Sequence, residues 1–507
     1  MNRTIFRTFL GTLATLALVA GCSDDPTPAA DAGGTTDAGQ STDAGQSTDA
    51  GGTADAGGTA DAGGTTDAGG TADAGGADGG VAMGRITANA PIAISLSSTG
   101  HDRLFGVTWG ADGNIYATGV MTDTAETTAD ARTIVLRFRA DGTRDMTFGT
   151  NGIASHNIVV GTSGEVARGI VVQPSGKIVV SATIEHAGAA DARDRDLAVV
   201  RFNANGTLDT TFGTNGVTVL DLSDGEVNGS AYVADSNWGL SQYSDGRLVV
   251  TGAAKRMGAQ DTDYAVVRLS VDGARDTAFG TNGVVTVDIA NRDASPRNAL
   301  VLADGSIVMA GYYNDGGVVK PMLFKLTPAG QRDATFGTNG VWTQTIWGVV
   351  AEAYAAVQQG SNFVTAGYGR NMNTESIDWL SLRVTGAGAL DTTYGTAGIV
   401  RIDHNNFNDN ARTLVALPDN RIIMVGGGRP TETNSDAMVA VLTPSGARDA
   451  TFGTNGTQLF DLGGANDFFW GAATSPDART VAVVGVRAVV AGMGQDDCAL
   501  MLMNVAR

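Results

Sequence analysis

The sequence predicts an all-β protein: a seven-bladed β-propeller of four-stranded antiparallel blades, preceded by an export signal and a flexible spacer. Three observations carry that prediction. First, one motif recurs six times, as RDMTFGTNGI (144–153), LDTTFGTNGV (208–217), RDTAFGTNGV (275–284), RDATFGTNGV (332–341), LDTTYGTAGI (390–399) and RDATFGTNGT (448–457). Its aromatic residues, Phe148, Phe212, Phe279, Phe336, Tyr394 and Phe452, fall 57 to 67 residues apart, a spacing that defines a repeat. Second, each repeat holds short apolar runs separated by Asp-Gly and Asn-Gly, the punctuation of β-hairpins. Third, the second run of each repeat is continuous rather than alternating (KIVV at 177–180, SIVM at 306–309, RIIM at 421–424), so both of its faces are covered.

Residues 1–21 read as a signal peptide, with Arg3 and Arg7 ahead of a short apolar core that is too brief to span a membrane well. Their end, LVAGC at 18–22, resembles the lipobox of bacterial lipoproteins. The resemblance implies cleavage before Cys22 and acylation of that residue. Two or more acyl chains anchor stably where one does not. Ser23, not Asp, follows Cys22, which points to the outer membrane or cell surface. Residues 22–85 comprise that cysteine and a low-complexity tether. Asp-Ala-Gly returns every six residues from Asp31 to Asp73, with no aromatic or large aliphatic side chain among residues 23–80 to offset the entropy of ordering. Such a chain spans about 40 Å.

The folded domain occupies residues 86–507. In its third repeat, WGLSQY (238–243), RLVVTG (247–252), YAVVRL (264–269) and VVTV (284–287) form a four-stranded meander. The first-to-third-strand pattern occurs seven times, but the last copy, ending in ALMLM (499–503), has no fourth strand after it. An orphan strand at 92–96 precedes the first copy. It is expected to complete the last blade, closing the ring and leaving no open sheet edge. The repeat block resembles the delta-60 repeat family, a predicted β-propeller family of bacterial exported proteins, over nearly all of residues 100–507. Departures are Tyr394 for Phe, Ala397 for Asn and the lack of a motif in the last copy. The resemblance implies a propeller in the cell envelope and no established activity.

Charge narrows the partners. The net charge is −20; residues 1–22 carry two Arg and no acid, so +2, and residues 23–80 carry eleven Asp and no basic residue, so −11, leaving −11 for 81–507. With no basic run to meet phosphates, nucleic acid is excluded as a partner. Features present in nearly every repeat read as scaffold. These are the motif aspartates (Asp145, Asp209, Asp276, Asp333, Asp391, Asp449) and the basic residue ending the third strand (Arg137, Arg201, Arg268, Lys325, Arg383; lost at Val441 and Met503), expected to pair with them. A position that varies is a better candidate for binding. The residue opening the first strand reads Phe105, Arg168, Trp238, Arg297, Ala353, Arg412 and Trp470. If first strands are innermost, these side chains ring a channel mouth. Arginine captures carboxylates and aromatics stack on sugar faces, which suits an acidic glycan. The alternative pairs each arginine with a nearby acid (Glu165, Asp293, Asp409) and buries the aromatics in the core.

Other candidates are weaker. The loops at 122–132, 186–195, 253–261, 312–320, 369–376 and 427–435 vary most, as partner-binding loops do. His101, His156, His186 and His404 lie in different repeats without metal-ligand spacing, so no metal site or cofactor is predicted. The oxygen-rich stretch DHNNFNDN (403–410) lacks the glycine and distal glutamate of an EF-hand, and a bound calcium there is a weaker alternative. Cys498 reads as a small core residue. No catalytic residue is assigned. The expectation is a monomeric, non-enzymatic binding or scaffold module for envelope proteins or glycans, anchored in a membrane through Cys22. The alternative is a polysaccharide lyase or hydrolase with its site in the channel, which the fold alone does not decide.

Overall fold

The computed structural model describes residues 84–506 apart from 127–128, 162–163, 186–194, 224–225, 229–230, 234, 256–260 and 489–494. The signal segment, Cys22 and the Asp-Ala-Gly tether lie outside the described residues, as do His186 and most of the loop at 186–195. Strands are the only regular elements among the described residues. Two short ones come first, β1 (Ile86–Ala88) and β2 (Ile92–Ile94). Sets of four follow in chain order. They are β3 to β6 (Asp102–Trp109, Ile115–Thr122, Ala131–Phe138, Ile153–His156) and β7 to β10 (Val166–Val172, Ile178–Glu185, Arg195–Phe202, Val217–Leu220). After a small hairpin of β11 (Glu226–Asn228) and β12 (Ala231–Val233) come β13 to β16 (Ser236–Gln242, Leu248–Ala254, Asp263–Leu269, Val284–Val287) and β17 to β20 (Ala294–Val301, Ile307–Asp315, Val318–Leu326, Val341–Thr343). The next are β21 to β24 (Val350–Gln359, Asn362–Arg370, Asp378–Val384, Ile399–Ile402) and β25 to β28 (Asn410–Ala416, Ile422–Thr431, Asn434–Leu442, Thr457–Phe460). The chain ends with β29, β30 and β31 (Asn466–Thr474, Thr480–Ala488, Asp497–Val505).

Within each set, strands that are neighbours in sequence pair antiparallel in space. The last set has only three consecutive strands, and β2 takes the fourth place on β31, with Ile92 opposite Leu500 and Ile94 opposite Cys498. This pairing is the one expected of residues 92–96, though it stops at 94. β1 extends the same edge, Ile86 facing Val505, a strand the sequence had not suggested. The first strands lie against one another in chain order, β3 on β7, β7 on β13, β13 on β17, β17 on β21, β21 on β25 and β25 on β29, and β29 returns to β3.

The cores lie between successive sheets. Tyr116, Val135 and Phe148 of one set pack with Ala167, Ile178 and Val180 of the next, and Phe138 and Leu136 pack with Val484 and Leu500 of the last. A second strand such as β8 is therefore buried along its whole length, which is why its sequence does not alternate.

The recurrent motif works at these junctions. Its aromatic residue is buried in every copy, and in the first five copies the glycine after it donates its N–H to the turn of the next repeat. Gly149 reaches Asn205 O at 2.8 Å, Gly213 reaches Asp272 O at 3.0 Å, and Gly280, Gly337 and Gly395 repeat the bond. The expected ion pairs are present: Arg137–Asp145, Arg201–Asp209, Arg268–Asp276, Lys325–Asp333 and Arg383–Asp391, at 2.6–2.9 Å. In the sixth copy, where Val441 replaces the basic residue, Arg421 from the second strand pairs with Asp449 instead.

Two expected loops turn out to be mainly strand. Residues 312–320 form a hairpin in which β18 and β19 flank a turn at Gly316 and Gly317, both at positive φ. Residues 427–435 likewise continue β26 and β27 to a tight turn beyond Thr431. In the first of these hairpins Tyr312, Tyr313, Val318 and Val319 fit the pleat and extend the ladder beyond the point where a polar loop was expected.

Candidate functional site

Every first strand contains a register shift, and its place is the same in each repeat. The shifts fall between Leu104 and Gly106, Ala167 and Gly169, Asn237 and Gly239, and Pro296 and Asn298. They continue between Ala353 and Ala355, Ala411 and Thr413, and Phe469 and Gly471. The unpaired residues are thus Phe105, Arg168, Trp238, Arg297, Tyr354, Arg412 and Trp470. A β-bulge bends its strand and re-aims one side chain. Here it turns those side chains toward one another, around a cavity of about 200 Å³.

The residue after each bulge is kept small or polar because the next first strand is so close. A Cβ on Gly106 would lie 2.3 Å from the carbonyl oxygen of Arg168, and one on Gly169 would lie 2.6 Å from the nitrogen of Leu240. Asn298 takes part in the same approach differently, bonding both the N–H and the carbonyl of Ala356.

Six of the ring residues are those predicted. The prediction of Ala353 is corrected: Ala353 is buried in the core and its neighbour Tyr354 lines the cavity. The fifth repeat has no Asp-Gly turn from which to count, and its bulge sits one residue later than the count gave. A bulky residue followed by a small one, the pattern of Trp238-Gly239 and Trp470-Gly471, would have located Tyr354-Ala355.

The ring alternates. Arg168 lies between Phe105 and Trp238, its guanidinium carbon 5.6 and 4.6 Å from the two ring centres. Arg297 lies between Trp238 and Tyr354 at 3.9 and 5.0 Å. Arg412 lies between Tyr354 and Trp470 at 4.6 and 4.7 Å. At the remaining junction two aromatics meet, Phe105 against Trp470 edge-on at 5.2 Å. Each cation–π contact is worth about 0.5–2 kcal/mol depending on burial. The aromatic faces are therefore occupied by guanidiniums rather than open for stacking on a sugar.

The acids expected to satisfy the arginines have other bonds. Glu165 accepts the N–H groups of Thr133 at 2.6 Å and Ile158 at 2.8 Å, and Asp409 accepts those of His404 and Arg429. Asp293 accepts the N–H of Thr262. Arg297 pairs instead with buried Glu352 of the following repeat, at 2.5 Å.

The other candidates do not converge on this cavity. His101 accepts the N–H of Asp496 through Nδ1 at 3.0 Å, far along the chain from His156 and His404. Cys498 is fully buried, and burial holds its thiol well above the ordinary range, so it packs as an apolar side chain.

Residues 173–212, 244–279 and 302–336 match a family model described as "Domain of unknown function (DUF5122) beta-propeller". No curated protein matches the chain. Among solved structures, the chain is similar to a protein of unknown function from Dyadobacter fermentans, at 11% identity over 83% of this chain and 99% of that one, with a TM-score of 0.45. It is similar to the β-propeller domain of the Trilobed protease from Pyrococcus furiosus, at 8% identity over 80% and 94%, TM-score 0.39. It is similar also to the polysaccharide lyase Uly1, at 9% identity over 83% and 100%, TM-score 0.47. The matched segments span successive repeats from a second strand to the motif aromatic, and through them the chain is similar to a β-propeller repeat family.

Proposed function

We propose that the chain is a non-enzymatic binding module of the cell envelope: a closed seven-bladed propeller, tethered to a membrane through acylated Cys22, that receives an acidic group of an envelope glycan at the ring of first strands. The observation that carries this reading is the alternation of Arg168, Arg297 and Arg412 with aromatic side chains around one cavity. Stacking fixes each guanidinium plane by its faces, and Glu352 holds the Nε edge of Arg297 as well, so the three positive charges are set in place around the cavity before a ligand arrives. Planar, delocalised and always charged, such groups suit a carboxylate or sulfate better than a neutral sugar face.

The cavity, at about 200 Å³, lies below the 300–1,000 Å³ that takes a whole drug-sized ligand. One charged substituent fits it, with the rest of the glycan outside. Anchoring through Cys22 and the tether would let the module reach about 40 Å from the membrane.

Calorimetric titration with uronate-containing and sulfated oligosaccharides, beside their neutral counterparts, tests this reading. The acidic ligands are expected to bind and the neutral ones not. Arg168→Ala, Arg297→Ala and Arg412→Ala combined should weaken binding at least tenfold, since loss of charged hydrogen bonds costs about 1.5–3 kcal/mol each. Equal affinity of the folded triple variant and the parent would remove the ring as the site.

A further inference from the structure

A second feature recurs at the junctions, away from the ring. Asp196, Asp221 and Asp235 cluster together, as do Asp378, Asp403 and Asp409, and Asp436, Asp461 and Asp467. In each cluster the first aspartate stands near the start of a third strand, the second directly follows a fourth strand, and the third leads into the next first strand. A fourth cluster, Asp261, Asp263 and Asp288, keeps the first two positions and draws its third member from the loop before Asp263. Within every cluster one carboxylate oxygen per residue lies within 4.8 Å of the others.

In the Asp436 cluster the Asp467 carboxylate is wholly buried. Its Oδ2 accepts the N–H groups of Leu462 at 2.7 Å and Gly464 at 3.3 Å, while Oδ1 is buried with no hydrogen-bond partner. A buried carboxylate with one oxygen lacking a donor, grouped within 4.8 Å of two more carboxylates, marks a place built for a positive charge.

The repeats without such a cluster point the same way. Five residues before Arg137 and before Lys325, where Asp196 stands before Arg201, the sequence has Arg132 and Lys320. In those two repeats the position after the motif strand is Asn157 and Thr345 instead of aspartate. By sequence position, the six repeats that carry the motif have here either a basic residue or the first aspartate of a cluster, and in the Asp378 cluster Arg401 also pairs with that aspartate.

We propose that the carboxylate clusters at these junctions bind Ca²⁺, with Asp436, Asp461 and Asp467 as the best-defined site. All-oxygen donor sets select hard cations. Ca²⁺ takes six to eight oxygens at about 2.3–2.6 Å in a flexible geometry, whereas Mg²⁺ demands a near-ideal octahedron at about 2.0–2.1 Å and gives up its waters reluctantly, so carboxylates gathered from several strands suit Ca²⁺ better. The ion would join the third and fourth strands of one sheet to the first strand of the next.

The full chain, stripped with a chelator, is titrated calorimetrically with CaCl₂ and in parallel with MgCl₂, and its thermal unfolding is followed in both. Saturable Ca²⁺ uptake with a raised unfolding temperature is expected, and weaker uptake of Mg²⁺. Asp461→Asn changes an exposed side chain whose amide oxygen can still accept the Gly463 N–H, so the fold is kept. This variant should lose one equivalent of Ca²⁺ while unfolding at the parental temperature in chelator. An unchanged Ca²⁺ stoichiometry in Asp461→Asn would overturn the site. Absence of both heat and a thermal shift at about 1 mM Ca²⁺, the upper range for extracellular modules, would overturn the proposal and assign the clusters to proton-sharing carboxyls.

Discussion

One arginine shows how a single side chain can serve two repeats. Arg201 is 1% exposed; its Nε donates to Asp209 at 2.6 Å, its Nη1 to Val271 O in the next repeat at 2.7 Å, and its plane lies over Phe212 at 4.7 Å. Arg137, Arg268 and Arg383 make the same three kinds of contact. The aspartates they hold are correspondingly acidic. Hydrogen bonds from Thr147, then the Arg137 guanidinium, bring Asp145 down to about 2; the Lys325 ammonium, then Thr335, does the same for Asp333. Asp209, Asp276, Asp391 and Asp449 shift in the same direction. A carboxylate whose folded value lies below its unfolded value of about 3.9 contributes stability that is complete above that value and is lost as pH falls through the folded one. Urea unfolding should therefore show stability falling from about pH 4 to pH 2. A flat profile across that window would mean the pairs add nothing to the fold. These residues were legible in the sequence because repetition within one chain separates scaffold from site: what stands in nearly every copy braces every copy.

At the scale of the element, the turn closing each motif sets the residue it needs. Asn151, Asn215, Asn282, Asn339 and Asn455 sit at φ of 51–54°, a left-handed conformation that asparagine tolerates. The fifth copy puts Ala397 there at φ 53°. For an ordinary L-residue that conformation costs about 1–2 kcal/mol, and asparagine recovers part of it through local hydrogen bonding. Ala397→Asn is thus expected to stabilise the protein by about 0.5–1 kcal/mol, read as a higher urea midpoint at unchanged slope. The same irregular fifth repeat defeated the sequence reading of the ring. Counting from a turn presumes a uniform strand, and a bulge is invisible to a count. It shows in the pairing, where Ala353 and Ala355 oppose adjacent residues and Tyr354 is left over, and in the sequence only as a bulky residue followed by a small one. Strand existence, by contrast, was clear from apolar runs between Gly-containing turns, because those runs are what the neighbouring sheets bury.

At the scale of the whole molecule, the last sheet is completed from the other end of the chain. β1 and β2 cover the edge of β31 that would otherwise present unpaired N–H and C=O groups. A chain beginning after residue 96 should unfold at a lower temperature and self-associate through that edge, seen as a larger species by light scattering. A monomer of parental stability would show that the closing pairs are dispensable. This long-range pairing was legible because a meander one strand short and an orphan strand complete each other. The carboxylate clusters were legible only in part: Asp403 and Asp409 fall within the oxygen-rich stretch 403–410, but Asp378 lies 25 residues before Asp403, and only the pairing of strands and the packing of sheets bring it to them. The ring of bulged side chains has one more property. Two kinds of residue can alternate around a circle without fault only when the positions are even in number, and here they are odd. The fault is the aromatic pair Phe105–Trp470, where the first and last first strands meet, and it lies across the ring from Arg297. A mouth built from near-identical units would accept a guest in any rotational setting. This single mismatch breaks that equivalence and gives the opening a compass direction, from the uncharged seam to the arginine facing it.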